Sequence, residues 1–184
     1  EKRKIQEFNN NQMIEYDNEG NAVYNGYFSK KKDKIEKIGD GYIFKYEKNV
    51  LKEVYHSQNG HETFKCYSFE KSNSPFLNVM NEYTANGILK YKGGYDGSPL
   101  IGFTRDGKGD EYDENEMLVY SGYWKKNKRN GHGLYYQNTI LYYEGDWVDN
   151  IPEGRGKLLN ENGDVVYNGQ WKKGYYIIKK GYGI

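Results

Sequence analysis

The sequence predicts an all-β chain built as an array of stacked β-hairpins, on three observations. The phrase Tyr-x-Gly-x-Trp recurs in register, apolar residues within each copy fall at every second position, and a second phrase, Gly-x-Gly, follows each copy. An array draws its stability from neighbouring repeats rather than from one central core, so the repeat governs how every other residue is read.

All three tryptophans hold the same slot, at Tyr120/Gly122/Trp124, Tyr143/Gly145/Trp147 and Tyr167/Gly169/Trp171. The glycine steps, 122 to 145 to 169, are 23 and 24 residues. Changed copies stand at Tyr91/Gly93/Tyr95 and Tyr24/Gly26/Phe28. With Leu118, Leu141 or Val165 two residues ahead, the apolar period is two, which means strand, with one face packed and the other partly wet. A glycine in mid-strand weakens a sheet, so its recurrence between two aromatics implies a use: the bare backbone lets a neighbouring ring lie across it.

Gly-x-Gly occurs at 39/41, 107/109, 131/133, 154/156 and 181/183 and suits positive φ or close approach. A short second strand follows, such as 134–136 or 157–159, closed by turns such as Asn138-Thr139 or Asn162-Gly163. One hairpin is marginal in water, so the hairpins must stack. The chain reads as a single array over 1–184, with N-terminal repeats at 13–41, degenerate repeats with an insertion at 42–86 and clear repeats at 87–184. Two alignments stay open in the middle. Phe64 and Cys66 fill the Tyr and Gly slots after an Asn59-Gly60 turn, or Leu51, Glu53 and Tyr55 carry the worn copy. Residues 71–81, with Pro75, read as an insertion on one edge. Six or seven repeats result, and the chain starts partway through one, 13–20 being a second strand whose first strand is missing.

Composition bounds the function. Mean hydropathy of −1.06 and 36% apolar residues would suggest disorder, but 21 tyrosines supply stiff contact area with wet hydroxyls and make a thin sheet feasible. A net charge of +1 gives no field to draw the chain to nucleic acid, and none is expected as a partner. The single cysteine excludes an internal disulfide and suits a reducing compartment. No apolar run approaches the ~20 residues of a membrane span, and no signal-like stretch opens the chain. Glu1 as first residue reads as the start of a fragment.

The run from Tyr120 through Gly122, Trp124 and Gly131 to Gly133 resembles the core of a MORN (membrane occupation and recognition nexus) repeat. The resemblance is specific over 118–174, lengthened at 20–41 and 87–109, and weak at 42–86. It implies an elongated, twisted, solenoid-like antiparallel sheet of hairpins acting as a non-enzymatic scaffold or tether for protein partners. It also implies a cytoplasmic setting, in ciliary or cortical cytoskeletal assemblies.

The aromatics of the phrase are read as a structural ladder: Tyr24, Gly26, Phe28, Tyr91, Gly93, Tyr95, Tyr120, Gly122, Trp124, Tyr143, Gly145, Trp147, Tyr167, Gly169 and Trp171. Off-register Tyr123, Tyr135 and Tyr142 are the candidate partner-binding rings, because alternation points them away from the ladder. Lys125, Lys126, Lys128, Arg129, Lys172 and Lys173, with Lys30–Lys32, Lys179 and Lys180, fall in loops that could line one edge and meet anionic lipid at about 1 kcal/mol per cation. The plainer reading is a solvated edge that opposes aggregation. His56, His61 and Cys66 match no zinc spacing and lack a fourth ligand, so no metal, cofactor or catalytic residue is expected. An exposed terminal strand would allow self-association. The alternatives to a scaffold are a peripheral lipid-binding module and the accessory region of a larger enzyme.

Overall fold

The computed structural model describes residues 4–7, 10–31, 34–71 and 78–178. These form fifteen strands and no helix. They are β1 (Lys4–Glu7), β2 (Gln12–Tyr16), β3 (Ala22–Lys31), β4 (Lys34–Glu47), β5 (Val50–Gln58), β6 (His61–Lys71), β7 (Asn78–Tyr83), β8 (Leu89–Ser98), β9 (Gly102–Tyr112), β10 (Leu118–Lys125), β11 (Lys128–Gln137), β12 (Ile140–Val148), β13 (Ile151–Leu159), β14 (Val165–Lys172) and β15 (Tyr175–Tyr176). Strand order follows chain order in one open antiparallel sheet, as stacked hairpins require. Two compact units make up the chain: Glu1–Lys90 with Gly97–Phe103, and Tyr91–Asp96 with Thr104–Ile184.

In the second unit the glycines of both phrases fall opposite one another. Gly109, Gly122, Gly133, Gly145, Gly156 and Gly169 form a single row across β9 to β14. The Gly-x-Gly phrase therefore lies within the second strand, not in a loop before it, and its first glycine takes the positive φ: 94° at Gly107, 66° at Gly131 and 86° at Gly154. The ring that crosses the bare row belongs to the strand's own tyrosine two residues earlier. A Cβ on Gly122 would stand 2.5 Å from the Tyr120 hydroxyl and 2.6 Å from the Gly133 Cα.

Each ladder ring is also tied by hydrogen bonds. Tyr91, Tyr120, Tyr143 and Tyr167 donate to the carbonyls of Gly94, Tyr123, Asp146 and Gln170 at 2.8, 3.0, 2.9 and 2.9 Å. Trp124, Trp147 and Trp171 donate Nε1 to Gly109, Gly133 and Gly156 at 3.1, 3.3 and 3.1 Å. Tyr120 meets Trp124 and Trp147 edge-on at 5.2 and 5.4 Å, and Tyr143 meets Trp147 and Trp171 at 5.2 and 4.8 Å. Each tyrosine thus bridges two repeats through geometry its quadrupole favours, with no buried donor left over.

A further device joins the repeats. Asn127 and Asn150, at positive φ in the turns after β10 and β12, each exchange two bonds with an earlier strand. Their N–H groups donate to the Arg105 and Arg129 carbonyls at 3.0 Å, and their Oδ1 atoms accept the N–H of the same two residues at 2.7 and 2.8 Å.

The first unit repeats the plan once and then departs from it. Gly26 faces Gly41, and Tyr24 is buried against Met13 and Phe28. On β5, Ser57 stands opposite Gly41 and Tyr55 opposite Ile43, so the worn copy is Tyr55/Ser57 and neither sequence alignment holds. Phe64 and Cys66 lie on β6, after the Asn59-Gly60 turn, which forms as expected. That turn closes at the slot where Trp would stand, with Asn59 and Gly39 exchanging two 2.8 Å bonds. Residues 78–83, part of them read as insertion, are β7, paired with β6. Residues 13–20 do form a second strand and turn, but β1 pairs with that strand, so a first strand is present. Four strands, β4 to β7, separate β3 from β8, where whole hairpins demand an odd number, so the middle carries one strand outside the hairpin count beside the worn copy at Tyr55/Ser57.

Nor is its second face wet. Phe44, Val54, Phe69 and Met80 are buried on the side away from Tyr24. Phe103 covers them, 4.9 Å from Phe69 and 5.7 Å from Tyr67, and the Pro99 carbonyl accepts from Asn25 Nδ2 at 3.2 Å.

Candidate protein-interaction surface

Internal hydrogen bonds occupy Tyr91, Tyr120, Tyr143, Tyr167, Trp124, Trp147 and Trp171, so function is sought in what these rings leave exposed. Tyr123 behaves as alternation predicts: it is exposed on β10, with Lys108 Nζ 5.2 Å from its ring centre. Tyr135 does not. It stands cross-strand to Tyr120 and Tyr143 and so shares the ladder face, with its ring 6.1 Å from Trp147. Tyr142 is unpaired in a bulge, because Tyr135 faces Tyr143 while Tyr136 faces Leu141. A bulge re-aims the side chain it carries. The Tyr142 ring accordingly meets Tyr135 edge-on at 6.4 Å instead of pointing away.

Both rings line an open groove of about 550 Å³ in the second unit. Tyr143, Trp147 and Trp171 are its buried members, and Pro152, Leu158, Tyr175 and Tyr176 stand around them. Tyr142 is 40% exposed, Tyr175 78% and Tyr176 45%. Tyr176 holds its place by packing on Tyr167 at 4.8 Å and on Trp171 at 5.6 Å.

Arg129, expected among the lipid-facing cations, is a groove residue. The turn occupies only Lys126 and Asn127, so Arg129 is already on β11. Its guanidinium lies 5.0, 5.3 and 5.5 Å from the ring centres of Tyr120, Tyr135 and Trp147, and Glu111 binds it at 2.6 and 3.1 Å. Glu111 also takes Arg105 at 3.0 Å, so one carboxylate ties two arginines that each lie over ladder rings. Nothing in the local sequence marks this triad, because its members come from two hairpins.

The other predicted cations do lie at hairpin ends. Lys125, Lys126, Lys128, Lys172 and Lys173 are exposed, but Lys128 pairs with Asp149 at 2.9 Å, and the N–H of Lys173 is held by Glu153 at 2.8 Å. The edge is mixed in charge. Lys30 and Lys31 end β3, while Lys32, Lys179, Lys180 and the 181/183 glycine pair lie outside the described residues. His56 is engaged by Thr63 at 2.7 Å and stacks on Phe64 at 4.9 Å. Burial raises the Cys66 thiol above its usual range, which disfavours the thiolate. Burial likewise pushes the Tyr120 phenol up to about 12 and the Tyr143 phenol higher still, as befits hydroxyls committed to backbone carbonyls.

A family model described as MORN repeat matches residues 120–138 and 143–165. No curated protein matches the chain. The two matched segments each begin at a ladder tyrosine, and the same geometry continues at Tyr167 and Trp171 beyond them. Repeats of this kind serve as scaffolds or as membrane-associated modules. Family match and ladder geometry fall on the same residues, and this stretch of the chain is built of MORN repeats.

Proposed function

We propose that this chain is a non-enzymatic scaffold or tether that holds a protein partner through the aromatic groove of its second unit. One observation carries the reading. The ladder hydroxyls and indoles are bonded internally, whereas Tyr135, Tyr142, Tyr175 and Tyr176 gather round an open groove with hydroxyls that have no partner among the described residues. Rigid rings with free polar tips are the side chains that dominate protein interfaces. On this reading the chain works in the cytoplasm, within a ciliary or cortical cytoskeletal assembly.

Affinity capture with the tagged full-length protein from its own cells tests it. Two variants are compared with wild type: Tyr142→Ser with Tyr175→Ser, and Lys125, Lys126, Lys172 and Lys173 all changed to Glu. Loss of stoichiometric protein partners from the tyrosine variant alone supports the groove; retention by that variant refutes it.

Two other readings each rest on an observation. Exposed lysines at successive hairpin ends favour binding to anionic lipid, against the neighbouring Asp149 and Glu153. Sedimentation with anionic and neutral vesicles decides it: binding only to the anionic ones, fading with salt and lost in the lysine variant, would move lipid ahead. Val165, Val166, Tyr175 and Ile178 are exposed around β14 and β15, which favours self-association there. A concentration-independent monomer mass in light scattering would end that reading.

A further inference from the structure

We propose that the groove of the second unit takes a proline-rich segment in the polyproline II conformation, which gives the scaffold reading above, on which it rests, a partner class. Hydrogen-bonding capacity is the first reason. Tyr143 Oη, Trp147 Nε1 and Trp171 Nε1 are already spent on the Asp146, Gly133 and Gly156 carbonyls, and the Gly174 N–H on the Pro152 carbonyl. What the lining still offers is the four phenol hydroxyls, with no carboxylate among its residues. An extended ordinary peptide would bring one N–H per residue to a lining whose free side-chain acceptors are those same four phenol oxygens, and each bond left unmade costs free energy. Proline brings only carbonyls, which the hydroxyls can serve.

Charge is the second reason. Arg129 is the only charged lining residue, and Glu111 holds it at 2.6 Å, so the groove favours a neutral ligand over an acidic or basic one. Shape is the third. Tyr143, Trp147 and Trp171 pack edge-on at 5.2 and 4.8 Å, and the lining adds only Pro152 and Leu158 as aliphatic side chains, so the groove is a surface of aromatic rings rather than an aliphatic trough. An amphipathic helix needs such a trough for its i, i+3 and i+4 anchors; flat pyrrolidine rings on a preformed, low-entropy helix dock on aromatic rings.

The test is a titration of the full-length chain with a capped ten-proline peptide, read by tryptophan fluorescence and by calorimetry. A Gly-Ser peptide of equal length and a neutral amphipathic helical peptide serve as comparisons. Saturable binding of the proline peptide is expected, weakened about tenfold for each exposed ring removed in Tyr142→Ala and Tyr175→Ala, and unchanged in Tyr123→Ala, whose ring is outside the groove. Circular dichroism checks that the variants keep their sheet. No saturation with the proline peptide, equal affinity in the Tyr142 and Tyr175 variants, or tighter binding of the helical peptide would each overturn the proposal. The two levels separate cleanly. If the proline peptide fails while the Tyr142/Tyr175 variant still loses its captured partners, the partner class is wrong and the scaffold reading stands. If that variant keeps every partner, the surface itself is wrong.

Discussion

Replacing Gly145 with alanine tests the glycine row directly. In an extended strand this change ordinarily stabilises by about 0.5–1 kcal/mol, because the unfolded chain loses freedom. Gly145 is not among the residues at positive φ, so alanine meets no backbone strain there. It meets atoms instead. The new Cβ would stand 2.5 Å from the Gly156 Cα, 2.5 Å from the Tyr143 hydroxyl and 2.6 Å from the Arg155 carbonyl oxygen, where ordinary contact begins at 3.4 Å. Two of the three are backbone and cannot swing aside. Overpacking of this kind costs about 1–3 kcal/mol, and displacing Tyr143 from the Asp146 carbonyl adds about 1 kcal/mol. Against the entropic gain, a net loss of about 1–3 kcal/mol is expected. Urea unfolding followed by tryptophan fluorescence reports it locally, which matters because repeat arrays need not unfold as one unit. Adding Tyr143→Phe should restore only part of the loss, since the backbone contacts remain. A Gly145→Ala chain as stable as wild type would refute the steric role of the row.

Other changes separate the ladder from the rim. Trp124→Ala should cost about 3–5 kcal/mol, since it removes a buried ring packed on both Tyr91 and Tyr120, and thermal melting within replicate error would contradict that. Arg129→Ala should destabilise by about 2 kcal/mol by stripping one arginine from half-buried Glu111, while Lys125→Ala stays within about 0.5 kcal/mol; equal effects in urea melts would restore Arg129 to the solvated rim. For Tyr120 and Tyr143, whose phenols titrate above the ordinary value of 10, the neutral form is the folded one. Their contribution is therefore whole below pH 10 and is lost as pH rises towards 12 and beyond. The melting temperature should fall steeply over that interval, with late phenolate absorbance accompanying unfolding; full ionisation at constant circular dichroism would show that the rings are not sealed.

The ladder was legible because each copy solves one problem with the same residue types: Tyr to cross the row, Gly to make it and Trp to reach the preceding repeat. Tyr135 and Tyr142 were misplaced for a local reason. Counting by twos assumes an unbroken strand, and the unpaired Tyr142 breaks the count where the two rings meet. Arg129 was lost in a basic run whose turn proved to be two residues long. The middle defeated alignment because Ser57, small enough for the row, replaces the glycine that marks it, and Asn59 ends the strand where Trp would stand. The second apolar face of that unit could not be read locally at all, since Phe103 covers Phe69 from 34 residues away, 69 to 103.

What recurs in this chain is consumed by the fold, so the informative slots are those where equivalent positions differ. The bulge just before the ladder tyrosine is such a slot. It carries Val119, Tyr142 and Val166 in three successive copies, as the register shifts at Leu118/Tyr120, Tyr135/Tyr136 and Leu158/Leu159 show. Two copies fold with valine there, so the fold does not require a ring, and the ring at Tyr142 borders the groove. Tyr142→Val imports the residue its neighbours use. Urea stability should change by less than about 0.5 kcal/mol, the range of an ordinary surface substitution, while capture of the protein partner is lost. A destabilised variant would make the ring structural, and a stable variant that still holds its partner would remove Tyr142 from the interaction surface.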